Sequence, residues 1–292
     1  MAGTEGEAQS ADLGYKRALN RGGTVAPMSL YLTQDLSLRG LTLLLILAAC
    51  LYSIGLMLGT RFLYGVDRLR LNNEVAGFKF AVIGVFYAVL LAFVVVAVWE
   101  NFRDTEGTVR NEAKAAVDLH RVASVLPGPS NADIRKEVVT YVKDVLGVEW
   151  PRMAVGESSD VVAKDLDRLT RTVFAFNPGT TQEMVLYQTA QRLLAQLTDT
   201  RNERLDSADG SVPAVLWFVL IVGGLITLGY PAFFGSTHLG AQVLMTGSLA
   251  VLVAVALLLG IVFDYPFSGS VQVSPAPFER ALTEMSASSP AP

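Results

Sequence analysis

The residues with the clearest chemical meaning lie on one face of a helix predicted from Asn72 to Glu106. At 100° per residue, Phe86, Leu90 and Phe93 share that face. Charged residues flank them at both ends: Lys79, Glu100 and Asp104. Repeated around an axis, such a face predicts a pore whose apolar neck closes by dewetting. In the alternative interpretation, both phenylalanines face lipid or a neighbouring helix, as most apolar residues of a membrane span do.

The opposite face of the same helix carries a stripe of small residues. Its members are Gly77, Ala81, Gly84, Ala88 and Ala92. Small side chains allow helices to approach closely in lipid, where apolar burial alone does not drive association. The stripe therefore predicts a seam for helix packing.

Residues that perform catalysis do not form a recognisable constellation in this sequence. It contains no HExxH, GxSxG or GxxxxGK[ST] motif, and its single cysteine, Cys50, lies inside an apolar run. Neither His120 nor His238 has a partner at ligand spacing, so both are expected to be solvated. The acidic residues Glu100 to Glu112 lack calcium-loop spacing and predict a solvated helix face. We expect no enzyme activity, metal site or cofactor.

The composition indicates a membrane protein. Hydrophobic residues make up 51% of the chain, and the mean hydropathy is +0.41. The net charge is −4 and the basic residues are scattered, so nucleic acid is excluded as a partner. The apolar excess is concentrated in four runs, 41–58, 80–98, 212–234 and 243–263. Each is long enough to cross a bilayer as a helix, which predicts an all-α integral membrane protein.

The region between the second and third spans, 101–210, shows helical periodicity and no strand pattern. Three helices are predicted there after the second span: Ile134 to Trp150, Asp160 to Phe176, and Gln182 to about Ser207. Pro151 is expected to end the first, and Thr180 with Glu183 has the spacing of a capping box before the third. The sequence thus predicts an all-helical domain inserted between two transmembrane hairpins, 29–100 and 211–263.

The remaining segments are a predicted disordered N-terminal tail, 1–28, an interfacial helix from Ser29 to Leu38, and a C-terminal tail, 264–292. The third span contains Gly223, Gly224, Gly229 and Pro231, which predict a kink near its end. Four spans place both termini and the helical domain on one side of the membrane. That side carries eight Lys and Arg near the span ends against four on the other, which favours the cytoplasm.

The spans themselves contain no ionisable residue, whereas proton-coupled and ion-coupled carriers usually keep one on the transport route. The two transmembrane hairpins also show no inverted repeat. Active transport is therefore disfavoured, and a passive pathway or no pathway remains.

Two stretches are similar to the bacterial bestrophin-like family of membrane proteins. They are GVFYAVLLAFVVVAVWENF, from Gly84 to Phe102, and FDYPFSGSVQVSPAPF, from Phe263 to Phe278. The resemblance covers Leu41 to Phe278 with the same order of elements. The positions that carry it are Asn73, Glu74, Trp99, Asp264, Pro266, Phe267 and Gly269.

The resemblance implies a homopentamer in a bacterial inner membrane that conducts small, chloride-type anions, with the second span lining the axis. Phe86, Leu90 and Phe93 would then form the neck. The acidic run that binds calcium in eukaryotic bestrophins is absent after the fourth span, so calcium gating is not expected. The alternative hypothesis is a membrane-anchored interaction or signalling module without conduction, in which the helical domain recruits a partner.

Overall fold

The computed structural model describes residues 38–287, and within this range every regular element is helical. The predicted N-terminal tail and interfacial helix lie outside the described residues. Four helices are long and apolar enough to cross a membrane, as predicted. They are α1 (Leu38–Tyr64), α3 (Asn73–Ser124), α8 (Ala214–Gly229, followed by a 3-10 turn at Tyr230–Phe233) and α9 (Leu239–Asp264). A short helix, α2 (Val66–Arg70), connects the first two.

The second span continues far beyond its apolar run. Helix α3 has 52 residues, so it is about 78 Å long and extends well past a hydrocarbon core about 30 Å thick. Its second half packs along the helices of the inserted domain. These are α4 (Ser130–Asp144), a π-helical turn (Val145–Glu149), α5 (Trp150–Met153), α6 (Asp160–Phe174) and α7 (Thr181–Ser207). One helix therefore belongs to both parts of the molecule.

The prediction that Pro151 ends its helix is wrong. Pro151 lies in the first turn of α5, where the missing proline N–H removes no helical hydrogen bond. The predicted cap of α7 is confirmed, since the Thr180 hydroxyl accepts from the Glu183 N–H at 3.2 Å. The Glu183 carboxylate in turn accepts from the Gly179 N–H at 2.7 Å. That contact lies one residue earlier than a capping box would place it.

The C-terminal tail contains a helix that the sequence pattern did not indicate, α10 (Ala276–Ala287). It packs against α3 and α4 and buries Phe278, Ala281 and Met285 in the core of the helical domain. The same core receives Phe267 and Val273, which follow the fourth span. The helical domain is thus completed by chain from beyond the last span.

Helix α8 ends at Gly229 and tightens into the 3-10 turn instead of continuing to the end of the apolar run. Hydroxyl groups from α1 donate to its carbonyls. Ser53 donates to the Leu228 carbonyl at 2.6 Å and Thr60 to the Ala232 carbonyl at 2.5 Å. Backbone carbonyls at an irregular helix end need such partners inside a membrane, because no water is available there.

Candidate functional site

The three predicted neck residues have different surroundings. Phe86 and Phe93 are 75% and 72% exposed, so neither is packed within the chain. Leu90 is half-buried and packs against the cluster formed by α3, α8 and α9. The structure therefore places Phe86 and Phe93 together on a free face and Leu90 at the margin of that face.

Valines extend this free face along the helix. Val82, Val89 and Val96 are all exposed, and they alternate with the two phenylalanines at intervals of three and four residues. We call these five residues the exposed band: Val82, Phe86, Val89, Phe93 and Val96. They form one apolar line on α3 that the rest of the described chain does not cover.

Charged residues lie beyond both ends of the exposed band, as predicted. Lys79 is exposed before it, and Glu100 and Asp104 are exposed after it. None of the three forms an ion pair with any part of the chain in the range 38–287. The band is thus followed by unpaired negative charge and preceded by unpaired positive charge.

The small-residue stripe is not used for packing within the chain. Ala81, Ala88 and Ala92 are exposed, and a Cβ added at Gly84 would meet nothing within 4 Å. Gly77 lies at the margin, since a Cβ there would be 3.8 Å from the ring of Phe234. The seam therefore stays a prediction about contacts between copies of the chain.

The intrachain packing of α3 is made by a third face, centred on Tyr87. Tyr87 is buried with Leu91, Val94 and Val98 against α8 and α9. Its ring lies so close to α8 that a Cβ at Gly223 would be 2.8 Å from it, and a Cβ at Gly224 would be 2.9 Å from its hydroxyl oxygen. The paired glycines thus allow close approach, and this contact sets the rotation at which α3 presents the exposed band.

A second contact fixes the rotation of α3 at its far end, inside the helical domain. Glu112 follows Tyr87 by 25 residues, close to seven helical turns, so it falls on the same face. It is fully buried, as is Arg204 of α7. Arg204 donates to the two carboxylate oxygens of Glu112 at 2.6 and 3.0 Å. This bidentate pair locks α3 onto α7.

Three further side chains complete this buried network. Arg204 also donates to Glu149 at 2.7 Å, and Arg201 donates to Glu149 at 2.6 Å. The Tyr141 hydroxyl donates to Glu112 at 2.5 Å. Two carboxylates and two guanidinium groups give a net charge of zero, and each charge has a direct partner. This is the condition under which buried charges are tolerated.

The network shifts the pKa values of Glu149, Tyr141 and Arg204. Burial alone would raise the pKa of Glu149, but Arg204 and Arg201 outweigh burial and hold that pKa below its usual value. Burial and the neighbouring Glu112 raise the pKa of Tyr141 well above its usual range. Burial opposes the charge of Arg204, yet Glu112 and Glu149 raise its pKa further above the normal value. At ordinary pH Glu149 and Arg204 are therefore ionised, and Tyr141 is neutral.

Sequence reasoning missed this network and assigned Glu112 to a solvated face, which is wrong. The signal was present in the spacing. Val98, Phe102, Val109 and Ala116 are buried at intervals typical of one helix face, and Glu112 falls in the same series. A carboxylate in an apolar stripe predicts a buried partner, but the sequence alone does not identify Arg204, 92 residues away.

The closing motif of the chain joins the membrane helices to the helical domain. Asp264 is buried at the end of α9 and accepts hydrogen bonds from the backbone N–H groups of Ser211 and Val212, both at 2.9 Å. The Trp217 indole also donates to it at 3.1 Å. The carboxylate thus fixes the two residues that precede Pro213, the N-cap of α8.

The residues after Asp264 continue this connection into the helical domain. The ring of Phe267 packs edge-on against that of Trp150 at 5.4 Å, and the carbonyl of Pro266 accepts from the Val273 N–H at 2.7 Å. Gly269 has φ of 79°, a conformation that favours glycine. Trp99 on α3 packs edge-on against Phe263 at 5.1 Å.

At the opposite end of the membrane helices, Asn73 holds the loop after α8. Its amide donates to the Gly235 carbonyl at 2.8 Å and accepts from the Gly235 N–H at 2.9 Å. Gly235 is required there, because a Cβ would lie 2.6 Å from the Arg70 backbone nitrogen. Glu74, the neighbouring motif position, is exposed. Six of the seven motif positions thus have structural contacts or backbone roles: Asn73, Trp99, Asp264, Pro266, Phe267 and Gly269.

The two histidines differ from each other. His238 is exposed, as expected, but His120 is only 3% exposed and accepts a hydrogen bond from Arg135 at 3.2 Å. Burial and the adjacent Arg135 lower the pKa of His120. The prediction of a solvated His120 is therefore wrong. Among residues 38–287, no three His, Cys, Asp or Glu side chains are grouped as a metal site.

Comparisons with known proteins agree with this architecture. The model of the bestrophin-like domain matches residues 46–278. A bacterial bestrophin homologue from Klebsiella pneumoniae superposes with a TM-score of 0.59 at 16% identity, covering 84% of this chain and 100% of that one. A variant of the Klebsiella homologue superposes with a TM-score of 0.60 at 15% identity, covering 82% of this chain and 97% of that one. A further membrane-protein variant superposes with a TM-score of 0.64 at 12% identity, with the same coverage of both chains. No curated protein matches the chain.

Proposed function

The chain belongs to the bestrophin-like family, and we propose that its copies form a ring that conducts small, chloride-type anions passively across the membrane. The observation that supports this proposal is the exposed band on α3. Its five apolar side chains lie uncovered by the described chain, on a helix that packs against its own subunit through a different face, the one centred on Tyr87. Around a ring axis this face becomes the wall of a narrow apolar passage.

Phe86 and Phe93 act as the neck in this proposal, with Leu90 packed behind them. A constriction lined by phenylalanine rings expels water even where its diameter would admit an ion, so conduction is controlled by wetting. The neck needs a fixed rotation of α3, because a turn of one residue would replace a phenylalanine with an alanine. Tyr87 at one end and Glu112 at the other, about 38 Å apart along the helix, supply that rotation.

The ring is a homopentamer in the inner membrane of a bacterium, as the resemblance implies, with both termini and the helical domain in the cytoplasm. The larger number of Lys and Arg on the side of the helical domain supports this orientation. A reporter fused after Ser207 should therefore report cytoplasm, and one inserted near Thr237 should report the other side. The opposite pair of signals would invert the topology.

The charges at the ends of the band affect which ions pass. Lys79 attracts anions at one end, whereas Glu100 and Asp104 would repel them at the cytoplasmic end if they remained unpaired. Anion conduction therefore requires that the two acidic side chains be neutralised by another part of the assembly. Without neutralisation, the same ring favours cations, and the reversal potential under a salt gradient distinguishes the two.

The decisive experiment truncates the neck. We expect Phe86→Ala with Phe93→Ala to increase chloride leak from vesicles reconstituted with the full chain, because a wider and less apolar passage wets more readily. Phe218→Ala with Phe233→Ala is the matched control, since both of these side chains are also exposed and belong to the third span. The control should leave chloride leak at the wild-type level.

Assembled protein must be confirmed for each variant before leak is compared. Neck variants that form intact rings and leak no more than wild type would contradict the channel. Such rings, together with capture of a defined cytoplasmic partner by the helical domain, would instead support the interaction module.

A further inference from the structure

Beyond the exposed band, the free face of α3 continues as two lines of opposite charge. Arg103, Arg110 and Lys114 follow one another at intervals of seven and four residues, so they form one line, which we call the basic edge. Glu100 and Asp104 lie about 80° around the helix from it and form the acidic edge. All five side chains are exposed.

These charges are largely unused within the chain. Only Arg110 has an ion-pair partner in the part that the structure describes, and that contact, with Glu106, is loose at 3.9 Å and solvent-exposed. Farther along α3, in contrast, Arg121 pairs with Asp118 at 3.4 Å and with Glu284 of α10. The part of α3 from Glu100 to Lys114, which follows the exposed band, therefore carries exposed charges of both signs with little pairing inside the chain.

We propose that the basic edge of one copy packs against the acidic edge of the next copy around the ring, and this rests on the ring assumed in the proposed function. A closed ring with rotational symmetry needs two different surfaces on each copy, one for each neighbour. The two edges supply them on one helix, and they overlap in depth at Arg103, which lies between Glu100 and Asp104 in sequence. Their opposite charges select this pairing over like against like.

The packing of α3 leaves both edges free for this contact. The rest of the same subunit covers the side of α3 that carries Phe102, Val109 and Glu112. This side lies away from both edges. A neighbour can therefore approach from either flank without displacing any part of its own subunit. The same two flanks of α3 continue toward its N-terminus beside the exposed band. The charged contact between copies would therefore continue an apolar contact in the membrane.

The pairing also provides the neutralisation that anion conduction requires. Glu100 and Asp104 of each copy would be bound by Arg103 and Arg110 of the neighbour, so no free acidic ring remains at the cytoplasmic end. Each ion pair would be partly shielded between packed helices, where attraction is stronger than at a fully exposed surface.

The test reverses one edge at a time in the full chain and measures oligomer mass in detergent by light scattering. Arg103→Glu, Arg110→Glu and Lys114→Glu together should weaken association more than about tenfold, because like charges then face each other. Glu100→Lys with Asp104→Lys should do the same. All five substitutions in one chain exchange the edges, and this chain should recover the wild-type oligomer.

A matched control reverses three exposed basic residues outside α3: Lys136→Glu, Lys143→Glu and Arg192→Glu. It has the same change in net charge and should keep the wild-type oligomer. Single-edge variants must retain wild-type helical content, so that loss of association is not loss of folding. Rising salt should shift the mass of the wild-type chain toward the monomer, since exposed ion pairs are screened.

Single-edge variants that stay fully oligomeric, or an exchanged chain that stays dissociated while folded, would overturn the pairing. A different outcome would assign the basic edge to lipid headgroups instead. In that case anionic lipid would restore the oligomer of the single-edge variants, and the exchanged chain would not recover the oligomer. Because mass is measured without ion flux, rings that assemble through these edges and do not conduct would contradict the proposed function alone.

Discussion

The two halves of helix α3 differ in which side chains they bury: the first half exposes large apolar side chains, and the second half buries a charged one. Before Trp99, the apolar window of the helix is only 22% buried, and Phe86 and Phe93 lie on its surface. After Trp99, the helix buries the carboxylate of Glu112 completely. In a soluble protein the positions of phenylalanine and glutamate would be reversed.

The difference follows from what each half contacts. The second half packs against several helices of its own chain, which provide Arg204 and Tyr141 as partners for the buried carboxylate. The first half has its own chain on one side only, so its remaining faces are left for lipid, for other copies or for a passage. The comparison separates residues that fold one chain from residues that serve an assembly, and the predictions below test that separation.

The largest effect is expected from Arg204→Met in the folding half. This change removes the partner of Glu112 and leaves Glu149 with Arg201 alone, so buried negative charge becomes unpaired. Breaking a buried pair in this way costs about 3 to 5 kcal/mol of unfolding free energy. Denaturant unfolding of the purified full chain measures the loss.

The matched control is Arg192→Met on the same helix, where the side chain is exposed. It should change the unfolding free energy by less than about 0.5 kcal/mol. Equal losses for the two arginines would mean that the buried network does not stabilise the folded chain.

A smaller loss is expected from Asp264→Ala at the boundary between the two halves of the molecule. The change leaves the N–H groups of Ser211 and Val212 and the indole of Trp217 without an acceptor. Leaving these partly buried donors without an acceptor should cost about 1 to 3 kcal/mol, below the cost of breaking the buried network. Thermal unfolding measures the loss, with the exposed Asp199→Ala as control.

The local elements of this fold were predictable because their causes are local. Apolar runs long enough to cross a membrane predicted the four spans, and the Thr180 hydroxyl predicted the start of α7. Partners distant in sequence were not predictable. Arg204 meets Glu112 only because α7 packs along α3, and α10 buries its apolar residues in a core that other helices share.

The candidate site was predictable in part for the same reason. The shared face of Phe86 and Phe93 follows from helical periodicity alone. Periodicity does not predict which face of α3 packs on its own subunit, because three faces of the helix are apolar. The contact of Tyr87 with the two glycines of α8 decides between them.

A third prediction concerns a less well-matched carboxylate in the folding half. Asp165 is buried, and its pKa is raised to about 6, first by burial and then by Asp144, with Glu137 adding to this and Arg168 opposing it. Since the pKa of Asp165 is higher in the folded than in the unfolded chain, folding favours its protonated form. The contribution of this carboxyl to stability is therefore complete below about pH 4. It is lost as the pH rises through 6.

Asp165→Asn should therefore stabilise the chain at pH 8, by about 1 kcal/mol, and have little effect at about pH 3.5. Thermal unfolding at the two pH values measures the difference. Asp167→Asn, at an exposed position on the same helix, is the control and should change stability by the same amount at both pH values. A gain for Asp165→Asn that is equal at about pH 3.5 and at pH 8 would exclude titration of this carboxyl as the cause.

The smallest effect on folding is expected in the membrane half, where the small-residue stripe can be compared with a packed position. Ala88 is exposed within the chain, whereas Val95 is half-buried against the cluster of α3, α8 and α9. For unfolding of one chain, Ala88→Leu should therefore change the free energy by less than about 0.5 kcal/mol. Val95→Leu overfills a packed site and should cost about 1 kcal/mol.

Assembly should give the reverse order if the stripe is a seam between copies. A leucine at position 88 holds neighbouring helices apart, because close approach in lipid depends on small side chains. Ala88→Leu should then lower the oligomer fraction in detergent while Val95→Leu leaves it near the wild-type value. Both variants are compared by light scattering at equal protein concentration and by unfolding of the same samples. Equal oligomer fractions for the two variants would remove the seam and leave the stripe facing lipid.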